Sequence, residues 1–124
     1  MDKRVSEAEL EIMEALWAAD EALTATAVAE ARGVEERGWS LPTIKTMLSR
    51  LTQKGAVAYE TEGRRYLYRP AIARDEYVGG ESRRLVDRLF GGKLSPMIAR
   101  LAEDDALSDD EIAEIEALLK ELKQ

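Results

Sequence analysis

Two short alternating segments joined by a glycine turn follow directly after a helical segment, and this order limits the folds open to the chain. Residues Val57–Thr61 and Arg65–Arg69 alternate in character, and the Glu-Gly-Arg sequence at 62–64 is typical of a short hairpin turn. Segment Leu41–Lys54 carries apolar residues at helical spacing and stops at Gly55. The sequence therefore predicts a helix followed at once by a β-hairpin.

Two further helices are predicted before this pair. The Ser-Glu-Ala-Glu sequence at 6–9 is a capping-box pattern, and apolar residues at helical spacing continue to about residue 20. Thr24 is a suitable N-cap for a second helix over Ala25–Arg32, which we expect to be followed by a polar loop at 34–37. Three helices and a hairpin in this order form a winged helix, which we assign to residues 1–70 as a DNA-binding domain.

Residues 71–124 are predicted to be helical, so the whole chain is expected to be mostly α with a small β-hairpin. Apolar stripes on three C-terminal helices are more than this short tail can bury by itself. We expect a second copy of the chain to cover them, which makes residues 71–124 a helical dimerisation domain. The alternative is that the stripes pack back onto the winged helix. The candidate interface positions are Leu85, Leu89, Ile112, Ile115, Leu118 and Leu119.

The net charge of −7 conceals a basic middle between acidic ends. Residues 1–36 and 101–124 each carry a net charge of −7, whereas residues 37–70 carry +5 and residues 71–100 carry +2. A locally basic segment indicates a face that binds phosphates. Chance clustering of charges is the alternative.

The third helix presents a polar outer face that suits the major groove of duplex DNA, which is about 12 Å wide. With Ile44, Leu48 and Leu51 on the inside, the remaining positions of the helix face outward. The hairpin tip adds Arg64 and Arg65, which are placed for backbone phosphates or the adjacent minor groove. For each side chain taken singly, a solvated helix face is the alternative. The outward residues of the helix are Thr43, Lys45, Thr46, Ser49 and Arg50.

Three aromatic residues in this region are expected to pack and not to read DNA. Trp39 precedes the third helix, where a large aromatic side chain often fastens the helix to its domain. Tyr66 and Tyr68 lie two residues apart on one face of a strand, and we expect packing there in preference to base stacking.

The chain has no cysteine and no histidine, which excludes most enzyme and metal chemistry. Disulfides, thiolate nucleophiles, imidazole bases and the usual zinc and copper ligands are all absent, so we expect no enzyme, no metal site and no cofactor. No stretch approaches the roughly 18 apolar residues of a membrane span, and no signal peptide is visible, so we expect a cytoplasmic protein without membrane insertion. A winged helix that binds another protein remains the alternative function, as does a regulator with a small ligand at its dimer interface.

Motifs in both halves of the chain together resemble one known family of regulators. That family is the penicillinase-repressor group, also described as BlaI/MecI/CopY, and the resemblance covers nearly the full chain. The matching residues are Trp39, Ser40, Thr43, Ile44, Lys45, Thr46, Leu48, Arg50, Leu51, Lys54 and Gly55, then Glu62, Gly63, Arg64, Tyr66 and Tyr68, then Glu81, Ser82, Leu89, Phe90, Gly91, Gly92, Leu107, Ser108, Glu111 and Ile112.

The resemblance implies a homodimeric transcriptional repressor with an N-terminal winged helix and a C-terminal dimerisation domain. It implies double-stranded operator DNA with dyad symmetry as the ligand, usually upstream of resistance or copper-handling genes. In the β-lactam branch of the family, a membrane metalloprotease sensor leads to cleavage within the dimerisation domain. Cleavage separates the subunits and releases the DNA, so the resemblance also implies such a sensor as a partner.

The chain departs from the family pattern at three places. The copper branch senses metal through C-terminal cysteines, and their absence argues against direct copper sensing. The bond cleaved in the β-lactam branch is typically Asn-Phe, and Arg100-Leu101 stands at that candidate cleavage position. The usual Pro-Lys after Trp-Ser is replaced by Leu41-Pro42, so one phosphate-contacting lysine is missing.

Overall fold

The computed structural model of the chain describes residues 4–124. Within that range the order is four helices, a two-stranded antiparallel hairpin and three more helices, so the predicted mostly α fold with a small hairpin is confirmed. The elements are α1 (Glu7–Ala18), α2 (Ala25–Glu30), α3 (Arg32–Glu35), α4 (Leu41–Lys54), β1 (Val57–Glu62), β2 (Arg65–Pro70), α5 (Arg74–Phe90), α6 (Leu94–Glu103) and α7 (Asp109–Leu122).

Side-chain caps begin several of these helices where the sequence predicts them. The Ser6 Oγ accepts from the Glu9 backbone N–H at 3.1 Å, and the Ser6 N–H donates back to the Glu9 carboxylate at 2.9 Å. The Thr24 Oγ1 accepts from the Ala27 N–H at 3.1 Å. Each bond satisfies a backbone donor that the first turn of a helix leaves without a partner. These caps fix the starts of α1 and α2.

The hydrophobic core of the first part of the chain is built from α1, α2, α3, α4 and the start of β1. Its members are spaced three and four residues apart on each long helix, which places them on one buried face. The largest fully buried side chains are Ile12, Met13, Leu16, Val28, Val34, Ile44, Leu48 and Leu51.

The predicted polar loop at 34–37 is wrong in its first half, because the short helix α3 (Arg32–Glu35) covers residues 34 and 35. Ala31 is extended (φ −64°, ψ 138°), so α2 ends at Glu30 and the chain turns into α3. Val34, which is 1% exposed, enters the core from α3. A single apolar residue among charged neighbours has no periodicity to reveal its burial.

The hairpin is joined to the helices by backbone hydrogen bonds as well as by packing. β1 and β2 pair in antiparallel register, with Tyr59 opposite Tyr68. Leu23, in the connection before α2, exchanges two backbone hydrogen bonds with Tyr68, at 2.7 and 2.8 Å. This one-residue bridge fixes the base of the hairpin beside α2.

The chain divides into two compact units between Gly79 and Gly80, beyond the boundary expected after residue 70. The connection before α5 and the first turn of α5 belong to the first unit, because the Trp17 indole N–H donates to the Ile72 carbonyl at 2.8 Å and the Tyr77 hydroxyl accepts from the Val5 N–H at 3.1 Å. The second unit comprises the rest of α5, with α6 and α7. None of its residues is buried.

Candidate nucleic-acid interface

Helix α4 is held with one face inward and one face in solvent. Ser40 caps it by accepting from the Thr43 N–H at 3.3 Å, and Pro42 lies in the first turn, where no amide is needed. Gly55 ends it with a φ of 83°, in the left-handed region that glycine adopts without strain. The inward face consists of Ile44, Leu48 and Leu51, which are buried as predicted, together with the buried Met47.

The opposite face of α4 exposes all five side chains expected to read DNA. Its threonine hydroxyls are already oriented, because the Thr46 Oγ1 donates to the Pro42 carbonyl at 3.0 Å and the Ser40 Oγ donates to the Thr43 Oγ1 at 2.9 Å. Thr43 therefore keeps a proton to donate, and Thr46 keeps an acceptor lone pair. The exposed residues are Thr43, Lys45, Thr46, Ser49 and Arg50.

Both cations on this face are without a counter-ion among residues 4–124. Neither Lys45 nor Arg50 forms an ion pair with any residue in the part of the chain that the structure describes. By contrast, Lys54 at the end of the same helix is paired with Glu9. A surface cation without a carboxylate partner keeps its full charge for a phosphate.

The hairpin tip carries the other two predicted cations, Arg64 and Arg65, which differ in their ion pairing. Gly63 has a φ of 65° and closes the tight turn between β1 and β2. Arg65 is paired with Glu62 at 2.5 Å, although both side chains are well exposed. Arg64 has no ion-pair partner among residues 4–124. The tip therefore offers one unpaired arginine and one that is partly neutralised.

A groove of about 620 Å³ lies between helix α4 and the hairpin and is lined by residues of both. Three predicted residues meet there, namely Lys45 from α4 with Arg64 and Arg65 from the hairpin, whereas the other predicted residues of α4 lie outside the lining. The sequence reasoning missed the polar residues contributed by α2 and β2. The full lining is Thr24, Ala25, Thr26, Lys45, Arg64, Arg65, Tyr66 and Tyr68.

The tyrosines beside the groove pack on one another. The Tyr59 and Tyr66 rings are stacked with centroids 4.7 Å apart, and Tyr68 is tilted against both, at 6.0 and 6.2 Å. Burial raises the pKa of the Tyr68 hydroxyl, and the neighbouring Tyr66 and Tyr59 raise it further. These ring contacts agree with the packing role expected of Tyr66 and Tyr68.

Trp39 is half-buried against the core at the entrance to α4, so the predicted anchoring role is confirmed. The Arg37 guanidinium lies over its ring, 5.4 Å from the centroid, and also pairs with Glu11 at 3.2 Å. The Arg37 guanidinium therefore already has partners within the protein, where it contacts the residue that anchors the start of α4.

The C-terminal positions singled out from the sequence lie in the second unit. Arg100 and Leu101 lie in the last turns of α6, where Arg100 pairs with Asp104 at 3.5 Å. The candidate interface residues lie on α5 and α7. Ile115 is half-buried, and the exposed fractions of the others are 38% for Leu85, 59% for Leu89, 42% for Ile112, 60% for Leu118 and 48% for Leu119.

Residues 4–124 contain neither a cluster of potential metal ligands nor a membrane-spanning helix. No three carboxylate, histidine or cysteine side chains there come together to form a metal site. No helix in that range is long and apolar enough to cross a membrane.

An outward polar helix packed beside a basic hairpin defines a winged-helix DNA-binding protein. Residues 5–121 match the model of the penicillinase repressor family, so the chain belongs to that family. It is a DNA-binding transcriptional repressor and not an enzyme.

Individual relatives agree with this assignment. The chain is 36% identical to the penicillinase repressor of Bacillus licheniformis, over 97% of this chain and 92% of that protein. It is 25% identical to the methicillin resistance regulatory protein MecI of Mammaliicoccus sciuri, over 93% and 92%. The solution structure of the DNA-binding domain of the repressor BlaI aligns with a TM-score of 0.53 and 35% identity, covering 62% of this chain and 94% of that one.

Proposed function

We propose that the chain represses transcription as a homodimer that binds a dyad-symmetric DNA operator. The observation that carries this proposal is the unpaired, exposed state of Lys45 and Arg50 on one face of α4, beside the basic hairpin. Helix α4 enters the major groove, where Thr43 and Thr46 hydrogen-bond base edges. The acidic α7 is repelled by the phosphates and lies away from them.

The groove between α4 and the hairpin seats the sugar–phosphate backbone next to the base contacts. Lys45 and Arg64 supply unpaired positive charge, and the hydroxyls of Thr24, Thr26 and Tyr66 supply donors along its walls. This division of work leaves base recognition to the exposed face of α4. The similarity to the DNA-binding domain of BlaI supports the same assignment.

The second unit supplies the dimer contact in this proposal. Residues 80–124 contain no buried residue, and α6 and α7 do not pack closely against each other within one chain. Their apolar side chains therefore remain exposed unless a second copy covers them. We place that contact at Leu85, Leu89, Ile112, Ile115, Leu118 and Leu119.

Release from DNA follows, in this proposal, from loss of the dimer in the cytoplasm. One winged helix that neutralises a few phosphates binds weakly at physiological salt, whereas two linked copies bind the second half-site as an intramolecular step. A membrane metalloprotease sensor that triggers cleavage at Arg100-Leu101 separates the subunits. Because that bond lies inside α6, the helix must open locally before a protease can reach it.

The test uses a duplex that the purified full chain selects from a randomised DNA library. Lys45→Ala and Arg50→Ala each remove an unpaired cation from α4 and should abolish retention of the selected duplex in a mobility-shift assay. Because both side chains are exposed and unpaired, thermal unfolding and the sedimentation coefficient should stay as in the unaltered chain.

Arg32→Ala is the matched control. Its side chain is 95% exposed and pairs with Glu36, so the same loss of one charge from the first unit should leave retention unchanged. Full retention by Lys45→Ala and Arg50→Ala would show that α4 does not read DNA. Salt-insensitive retention of a protein partner in place of DNA would favour the protein-interaction alternative.

A further inference from the structure

Glu9 is the one charged residue within residues 4–124 that is fully buried, with only 4% of its surface exposed. Its Oε1 accepts from the Ser6 N–H at 2.9 Å and from the Lys54 ammonium at 2.5 Å. A carboxylate is costly to bury unless it is paired and hydrogen-bonded, and here it is both. A single oxygen atom therefore joins the start of α1 to the end of α4.

The partner of Glu9 occupies a mechanically important position. Lys54 is the last residue of α4, and β1 of the hairpin begins three residues later, at Val57. The corner between the two elements is tight, since the Ala56 N–H donates to the Leu51 carbonyl and both Ala56 and Val57 are buried. The ion pair thus holds the point from which the exposed helix and the hairpin diverge.

The electrostatics of both helix ends favour this pair. Glu9 lies in the first turn of α1, where the helix dipole favours a negative charge, and Lys54 lies in the last turn of α4, where it favours a positive one. Burial would raise the pKa of the Glu9 carboxyl, but the bonds from Lys54 and Ser6 outweigh it and hold that pKa below its ordinary value. Glu9 is therefore charged when the protein is folded at neutral pH.

We infer that the Glu9–Lys54 pair positions α4 and the hairpin for sequence-specific DNA recognition, an inference that rests on the function proposed above. The hydrophobic attraction that buries the inner face of α4 has no preferred direction, so the core limits the position of the helix through side-chain packing alone. A charged hydrogen bond has a defined length and direction. The pair supplies that missing directional constraint.

Because α4 is long, a small change of its angle at this corner causes a large displacement of the residues at its other end, which contact DNA in the proposed function. Thr43 lies about 16 Å along the helix from Lys54, at about 1.5 Å per residue. A tilt of about 5° at Lys54 moves Thr43 by about 1.4 Å, whereas an N–H···O bond tolerates a range of only about 0.5 Å. Base contacts should therefore be lost before phosphate contacts, which long flexible cations can maintain.

The experiment compares the affinity of each full-length variant for the selected duplex with its affinity for a scrambled duplex of the same length. Glu9→Gln and Lys54→Met should lower this ratio by about ten-fold, the scale of losing one good base contact. Affinity for the scrambled duplex should change little. Lys54→Arg, which retains a charged donor to Glu9, should preserve the ratio.

Two variants separate positioning from simple stabilisation. Glu14→Gln removes another carboxylate of α1, one that binds Arg74 on the surface at 2.8 and 3.1 Å, and it should leave the ratio unchanged. Glu9→Leu combined with Lys54→Leu replaces the pair with apolar contacts, which can restore stability without a directional bond. The ratio should stay low in this double variant.

The outcomes are distinguishable. If the unaltered chain does not prefer its selected duplex, the proposed function fails and this inference fails with it. If the unaltered chain does prefer it and Glu9→Gln and Lys54→Met keep the same ratio, only the positioning role is overturned. Recovery of the ratio together with stability in the double variant would reduce the pair to a structural role and overturn the inference as well.

Discussion

Ion pairing within the protein decides which cations are available to DNA at the scale of single residues. The basic middle of the chain includes cations that are engaged internally, such as Arg37 with Glu11 and Lys54 with Glu9. Arg65 is an intermediate case, because its exposed pair with Glu62 is weak and can be exchanged for a phosphate. The free charge at the interface is therefore smaller than the sequence count suggests.

Glu62→Gln should strengthen DNA binding, because it frees Arg65 and removes a negative charge from the hairpin tip. A titration across salt concentrations should show tighter binding and a log–log salt slope steeper by up to about 0.9, the value of one additional phosphate contact. Glu60→Gln on the same strand is the control, since Glu60 has no ion-pair partner among residues 4–124. Equal effects of the two variants would contradict a specific role for the Glu62–Arg65 pair.

The exposed residues of α4 could be predicted at this scale, but their neighbours could not. Apolar residues at helical spacing fix the inward face, and so leave Lys45 and Arg50 outside. The Glu9–Lys54 pair joins residues 45 positions apart, and no local pattern indicates such a contact. The positions of Thr26 and Tyr66 in the groove lining were not predicted for the same reason, because tertiary packing alone brings α2 and the hairpin together.

At the scale of elements, the bounds of a helix are predicted most accurately where an N-cap residue, apolar residues at helical spacing and a terminating glycine occur together. Helix α4 has the bounds expected from its Ser40 cap and the Gly55 that follows it. Helix α3 has only Val34 to mark it and was missed. The bridge between Leu23 and Tyr68 was also invisible in the sequence, because a single-residue bridge has no alternation to detect.

Helix α5 contains two adjacent glycines, Gly79 and Gly80, at the junction of the two units. Glycine in a helix interior is destabilising by about 0.5–1 kcal/mol relative to alanine. A Cβ added at Gly79 meets nothing within 4 Å. The pair is therefore a locally weak point of a helix that is otherwise continuous.

Gly79→Ala should therefore stabilise the protein by about 0.5–1 kcal/mol, through a better helix former and a less flexible unfolded chain. Thermal unfolding followed by circular dichroism measures this as a rise in melting temperature. Gly63→Ala is the opposing control, because a φ of 65° at the hairpin turn should make alanine destabilising there. A lower melting temperature for Gly79→Ala would show that α5 needs its glycine.

At the scale of the whole molecule, the two units differ in how fully a single chain buries their apolar side chains. The first unit has a continuous core, whereas residues 80–124 expose their apolar stripes. The sequence indicated this difference, because amphipathic helices without enough partners are visible as a pattern. The contact-based boundary in α5 lies beyond the expected one, since it depends on long-range contacts of Ile72 and Tyr77 with α1 and the residues just before it.

Sedimentation velocity of the selected duplex with the chain tests the central claim most directly. Two-fold symmetry requires two half-sites about one or two helical turns apart, near 34 Å per turn. The full chain should form a complex of two copies per duplex, and a chain ending at Leu107, which lacks α7, should sediment as a monomer and bind the same duplex far more weakly. One copy per duplex for the full chain, or a two-copy complex that survives removal of α7, would contradict the account.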